Sequence, residues 1–300
     1  MEISEINLVE LTEAPWTERW QALANELLSK HKIILKSEIR PTLKDNLRTK
    51  LEEVVASNCD ICVVSQSLSQ YVSENLSQVT HQSLQGGATD ILIREQGGWW
   101  PRPTLEEAFL RSLSKYIGQI DFSSSALVFG TDGYSMMIVS ALAKLGFSKI
   151  NITDTSAQLG ERAVSEMKRK YFKAEFNFIP VAEITTLPGI HSLFVNCVPL
   201  TIEEESTDEL YFFNFMKSKG VVVDLNLVPS QTPLICEATQ WGARHLSGEM
   251  ILAVRDGLAL ERVLHKSFSV DPYTSALKSS VDAVPFDVSL ILKRFRERGT

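Results

Sequence analysis

Short apolar runs alternate with longer stretches of helical periodicity along nearly the whole chain, and this alternation limits the fold more than any other feature. The runs are INLVE at 6–10, KIILK at 32–36, DICVV at 60–64 and DILIR at 90–94, then ALVFG at 126–130, KINIT, EFNFI, HSLFV and GVVVD ending at Asp224. Between the first of these lie 15–29 and 45–57, with Trp16, Trp20, Leu23 and Leu27, and Leu47, Leu51, Val54 and Val55, at helical spacing. Strand and helix in alternation indicate an α/β fold, with a mostly parallel sheet covered by helices. The wholly apolar ALVFG reads as a strand buried on both faces. Gly130 follows it, and a helix then runs over 134–146 to Gly146. Further helices are expected at 157–172, 207–218, 231–241 and 248–264, a connection at 266–285 and a last amphipathic helix at 286–297.

Three hundred residues suit two domains. The boundary is expected at 118–124. It gives an N-terminal α/β domain over 1–118, rejoined by 266–300, and a Rossmann-like parallel-sheet domain over 119–265. A net charge of −7 argues against a nucleic-acid or anionic-membrane partner. No apolar run approaches the roughly 18 residues that span a bilayer. The acidic start MEISEINLVELTE is unlike a signal peptide, and four cysteines are no disulfide framework, so a cytoplasmic location is expected.

The strand–turn–helix at ALVFG-TDG-YSMM carries the main chemical signal. Dinucleotide sites need glycines here so that the backbone can turn and approach a pyrophosphate at the helix N-terminus. Gly130 and Gly133 are present, but Asp132 stands between them. A carboxylate about 4 Å from a phosphate charge costs roughly 4 kcal/mol at an effective dielectric near 20. Asp154 ends the next strand, where an acidic residue accepts the ribose hydroxyls and favours NAD over NADP.

Several stretches together resemble the shikimate dehydrogenase family. GGATDILIREQGGWWPRPTLEEAFLRSL is similar to its Gly-Ala-Val-Asn-Thr segment and Asn-Thr-Asp-Gly turn, and ALVFGTDGYSMMIVSALAKLG to its glycine-rich loop. LFVNCVPL, with Asn196 and Val198, resembles the stretch under the nicotinamide. VVVDLNLVPSQTPLICEATQWGARHLSGEMILAVRDGLALE keeps Asp224, Pro229, Thr232, Pro233, Gly242, Gly248 and Met250 of the family pattern. The resemblance implies a substrate domain, a dinucleotide domain and a cleft between them that takes NAD or NADP and a small-molecule substrate.

The departures fall on the chemistry. The catalytic Asp position is Leu105, after a retained Thr104 and with Pro103 for asparagine. The catalytic Lys position lies within Ser65, Gln66, Ser67, Leu68 and Ser69, where there is no lysine. The Ser-x-Ser carboxylate site falls on 11–15, where Thr12 alone could serve and Glu13 would repel. The substrate-contacting tyrosine becomes Leu227, the C-terminal-helix glutamine becomes Arg255, and the NADP clasp reads Thr153-Asp154-Thr155. Ser65, Ser67, Thr12, Thr104, Leu227 and Arg255 are therefore the candidate cleft residues. Gly130, Asp132, Gly133, Asp154, Asn196 and Val198 are the candidate cofactor residues. Lys36 or Lys44 would have to replace the lost lysine.

Other features have plainer readings. The serines of SQSLSQ only superficially match the family's serine signature. Cys59 and Cys62 have metal or redox spacing but no second pair, and in a strand they would face opposite ways. Cys197 and Cys236 read as packing, and His31, His191, His245 and His265 as structural, so no metal is expected. Trp99-Trp100 is an interdomain packing pair or an aromatic floor; Arg94, Arg102 and Arg255 could form an anion site. The resemblance thus implies a divergent NAD(P)-dependent oxidoreductase with altered or lost catalytic residues, monomeric or homodimeric, that is not expected to use shikimate efficiently. The alternatives are a non-catalytic ligand-binding or regulatory protein on that scaffold, and a partner-binding scaffold using Trp99-Trp100.

Overall fold

The computed structural model describes residues 5–199 and 211–283. In chain order the strands are β1 (Glu5–Thr12), β2 (Ile34–Pro41), β3 (Ile61–Val64), β4 (Ile91–Glu95), β5 (Gly98–Arg102), β6 (Ser125–Phe129), β7 (Lys149–Asp154), β8 (Glu175–Pro180), β9 (His191–Asn196), β10 (Met216–Asp224) and β11 (Arg244–Leu246). The α-helices are α1 (Thr17–Leu23), α2 (Leu47–Ala56), α3 (Gln66–Ser69), α4 (His81–Gly86), α5 (Thr104–Leu113), α6 (Gly133–Leu145), α7 (Ala157–Lys170), α8 (Pro233–Trp241), α9 (Gly248–Leu264) and α10 (Asp271–Asp282).

The chain divides into two units, one of 1–109, 132–137 and 252–280, the other of 110–131, 138–251 and 281–300. The boundary expected after residue 118 falls inside α5 instead, and the first unit takes back the start of α6 and most of α9.

The first unit holds a five-stranded sheet in the order β2-β1-β3-β4-β5. Its first three strands are parallel, whereas β4 runs antiparallel to β3 and to β5. The sheet is thus mixed, because β4 and β5 form a hairpin around Gln96 and Gly97, both at positive φ (48° and 80°). Such a turn matches the twist of the strands it joins. Its core packs Val9, Leu11, Leu47, Leu51, Val54, Val64 and Leu92 together with Cys59 and Cys62. Cys59 precedes β3, so both thiols enter one core rather than opposite faces. Burial raises both, Cys59 to about 11.

The second unit holds a six-stranded parallel sheet in the order β11-β10-β9-β6-β7-β8. Renumbered from β6, this is the 3-2-1-4-5-6 order of a dinucleotide-type sheet, with its switch point between β6 and β9. All five residues of β6 are buried, as its apolar sequence requires. Gly146 ends α6 at φ 108°, a conformation that costs glycine little.

Two expected elements differ. Residues 216–218 of the anticipated helix 207–218 belong to β10, and 207–210 lie outside the described residues. Tyr211, Phe213 and Phe215 are buried while Phe212 and Asn214 are exposed, in a turn with Phe213 at φ 51° that leads into β10. The connection at 266–285 contains α10. Asp271-Pro272 opens it and Tyr273, Leu277 and Val281 are buried along one stripe. The helix expected at 286–297 lies outside the described residues.

Candidate functional site

In the first unit the parallel strands β1 and β3 end close together: Leu11 is paired with Val64, and the Ser65 N–H donates to the Leu11 carbonyl. Thr12 and Ser65 therefore stand at the carboxyl edge of this sheet, where α/β folds place their sites. Asp90 lies just before β4, and the Val64 N–H donates to its carbonyl. The Asp90 carboxylate accepts the N–H groups of Thr104 (2.6 Å) and Leu105 (3.0 Å) and so caps α5.

A buried charge network runs out from this carboxylate. Arg255, on α9, brings its Nε to 3.8 Å from Asp90 Oδ2, and the two residues are 1% and 0% exposed. Its guanidinium also bonds the Tyr134 hydroxyl and, at 3.2 Å, Asp256 Oδ1. Asp256 accepts from Arg19 Nε (2.9 Å) and Nη2 (2.5 Å) and from the Tyr273 hydroxyl (2.8 Å). Arg19 reaches Glu10 at 3.3 Å, and Glu10 accepts Trp20 Nε1 at 2.7 Å. Two guanidiniums and three carboxylates are thereby held almost without solvent.

The electrostatics follow from burial and pairing. Burial pushes Asp90 up to about 6, against the pull of Arg255 and the two N–H donors. Asp256 is buried too, but Arg19 and Arg255 outweigh that and hold it below the ordinary carboxylate range. Burial likewise raises Tyr134 to about 12, which makes it a hydroxyl donor and not a base at neutral pH. The hydroxyls of Thr89 and Thr104 are buried and find no partner among the described residues.

Asp132 has turned its own loop into a closed cap. Its carboxylate accepts from Gln66 Nε2 (2.5 Å), the Ser135 N–H (2.9 Å) and the Ser135 hydroxyl (2.8 Å). Burial raises its pKa. A Cβ on Gly133 would lie 2.2 Å from Ser69 Oγ, 2.8 Å from Gln70 N and 2.9 Å from Ala88 Cβ. Gly133 is therefore required by close packing of α6 on the Ser65–Gln70 segment. The Ser135 N–H, in the first turn of α6 where a pyrophosphate would lie, is thus met by the Asp132 carboxylate.

In the second unit Gly130 ends β6 at φ 115°, a backbone region suited to glycine. The Thr131 hydroxyl donates to Asp154 Oδ2 (2.7 Å) and the Ser156 N–H to Asp154 Oδ1 (2.8 Å), so the acidic residue at the end of β7 is already engaged. Asn196 donates to Asp224 Oδ1 (3.0 Å) and accepts from the Val198 N–H (3.1 Å). Asp224 also accepts from Thr232 Oγ1 (2.5 Å) and Asn226 Nδ2 (2.7 Å). The retained Asn196, Asp224 and Thr232 thus lock together the ends of β9 and β10, and Leu227 stands half-buried beyond them.

Other candidates are not brought to this chemistry. Thr12 closes a turn with Ala14, and Ser65 and Ser67 bond one another at 3.3 Å. Leu105 is buried. Lys36 pairs with Glu5 at 2.8 Å, and Lys44 lies over the Tyr71 ring. Of the arginines of the expected anion site, Arg94 bonds the Ser57 and Val55 carbonyls, Arg102 pairs with Glu95 at 3.3 Å and Arg255 is committed to the buried network. His191 is buried between Asn151 and the Phe215 carbonyl. Trp100 is 41% exposed, with its indole N–H on the Glu95 carbonyl. Among the described residues no group of three or more His, Cys, Asp or Glu is placed to hold a metal.

Sequence reading missed Glu10, Arg19, Asp90, Tyr134 and Asp256. The signal was a charge inside an apolar run: Glu10 within INLVELT and Asp256 within MILAVRDGLAL.

No family model matches the chain. It is 27% identical over 177 residues to the shikimate dehydrogenase (NADP(+)) of Geobacter sulfurreducens, covering 58% of this chain and 62% of that relative. The match thus spans about three-fifths of the relative's length. In structure it is similar to the shikimate 5-dehydrogenase of Thermus thermophilus in complex with NADP(H) and shikimate, at a TM-score of 0.73 and 19% identity, over 92% of this chain and 99% of that one. It is also similar to the quinate dehydrogenase of Corynebacterium glutamicum in complex with NAD, at a TM-score of 0.75 and 16% identity, over 93% and 100%. In sequence over part of its length, and in fold over nearly all of it, the chain is similar to the shikimate dehydrogenases.

Proposed function

We propose that this chain is a shikimate dehydrogenase-like protein that has given up pyridine-nucleotide redox chemistry and uses the scaffold to bind a small molecule. The observation that carries this reading is the Asp132 carboxylate seated on the first turn of α6, satisfied by Gln66 and Ser135. A pyrophosphate at that helix end would meet a carboxylate, a penalty on the order of 4 kcal/mol, or about a thousandfold in affinity. The buried Arg255–Asp90 pair supports the same reading. With the glutamine position given to Arg255 and the aspartate position to Leu105, the groups that would handle a substrate hydroxyl and its proton are absent from those positions.

A second reading, an NAD-dependent oxidoreductase acting on another hydroxy acid, is favoured by Asp154 at the end of β7, where ribose hydroxyls could displace the Thr131 hydroxyl. Assay of shikimate, quinate and a panel of hydroxy acids with NAD and with NADP separates the two. The proposal expects no turnover above the protein-free rate. Turnover that an Asp154→Ala change removes would establish the second reading.

A further inference from the structure

A group of cations in the second unit lies at the opposite end of its sheet from Asn196 and Asp224. Met216 pairs with His191 and Val221 with Leu193, so residues 217–220 are looped out of the ladder against Ser192 alone. The loop carries Lys217 and Lys219, and Arg244 opens the neighbouring strand β11. Together with Gln119, Asp121, Ser192, Ser218 and Gly220 they line one cavity of about 320 Å³.

Three features of this bulge are costly unless they serve a purpose. Lys219 has φ 66°, a left-handed conformation uncommon outside glycine, asparagine and aspartate. A Cβ on Gly220 would lie 2.6 Å from the movable Met216 methyl and 3.1 Å from the Lys217 carbonyl, so a larger residue there would press on the bulge. Three cations also stand together against one carboxylate, Asp121, in a chain of net charge −7. Bulges of this kind re-aim side chains at sites.

Asp121 does not neutralise the cavity. Its oxygens accept from Ser123, Ser124 and, at 2.8 Å, Lys217 Nζ, which together hold its pKa far below the ordinary range. It is a fixed anchor for Lys217, whose ammonium keeps further protons to donate. Lys219 Nζ has no partner among the described residues, and Arg244 makes only a long 3.5 Å contact to the Lys219 carbonyl.

We propose that this cavity binds a small phosphorylated molecule, with Lys217, Lys219 and Arg244 holding its phosphate. Ammonium and guanidinium donors match phosphate oxygens, and a cavity of this size suits a metabolite. The site is independent of the α6 terminus and of the proposed loss of redox chemistry.

The test is calorimetric titration of the full chain with inorganic pyrophosphate at low ionic strength, and again in about 0.5 M salt. Saturable binding is expected, weakened about tenfold or more by Arg244→Ala, by Lys219→Gly and by the added salt. Lys219→Gly relieves the left-handed backbone, so this variant is expected to melt no lower than the parent while losing affinity. Absence of saturable binding would overturn the proposal. So would equal affinity in folded Arg244→Ala and Lys219→Gly proteins.

Discussion

The Arg255 guanidinium and the Asp90 carboxylate stand 3.8 Å apart with both side chains sealed from water. Removing one partner of such a pair leaves the other charge buried, which costs about 3–5 kcal/mol. Arg255→Gln, which restores the glutamine of the resembled family, is therefore expected to destabilise by that amount in urea unfolding. The Asp90→Asn, Arg255→Gln double variant should recover part of the loss, with a coupling of at least ~1 kcal/mol. Only part returns because Arg255 also faces Asp256. Additive losses would show that the pair is not coupled.

Asp90 also predicts a pH dependence. Its pKa is raised in the folded chain to about 6, so the folded state holds this proton more tightly than the unfolded one. The stabilisation is complete below about pH 4 and is lost as pH rises through about 6, a change of roughly 3 kcal/mol. Unfolding free energies measured from pH 4 to 7 should fall in the parent relative to Asp90→Asn by about that amount. Parallel curves would contradict the assignment.

Gly133 is held by packing. A Gly133→Ala change places a Cβ 2.2 Å from Ser69 Oγ and should cost about 1–3 kcal/mol. Adding Ser69→Ala removes that clash but not those with Gln70 N and Ala88 Cβ, so the double variant should regain stability only in part. Full tolerance of Gly133→Ala in thermal melting would mean that this close approach is absent in solution.

Much of this arrangement was legible in the sequence, and the remainder failed for identifiable reasons. The strands of the parallel sheet stood out because β6 and its neighbours are buried on both faces and read as apolar runs. The limits of α9 followed from Gly248 and an apolar stripe. Asp132 was visible as a wrong residue in a glycine loop. The Asp90–Arg255 pair was not visible, since the two residues are far apart in sequence and only the fold shows that they meet. Tyr134 looked like a helix-start residue until its hydroxyl was placed on Arg255. The helix α10 was hidden by a proline and polar residues that resemble a linker, although its buried stripe was there to read.

Thiol chemistry checks the first unit's core. Cys59, Cys62 and Cys197 are buried and Cys236 is half-buried. A disulfide exchange reagent should therefore titrate one thiol quickly in the native protein and four after unfolding. Changing Cys236→Ser should remove the fast thiol. Rapid reaction of Cys59 or Cys62 would contradict their place in the core.

The central claim is that the Asp132 carboxylate closes the α6 terminus to a dinucleotide. The direct measurement is calorimetric titration of NAD and of NADP into the parent chain and into Asp132→Gly. The expected result is no binding of either by the parent and measurable binding by the variant, a gain on the order of a thousandfold. Micromolar binding of NAD or NADP by the parent, unchanged in Asp132→Gly, would contradict it.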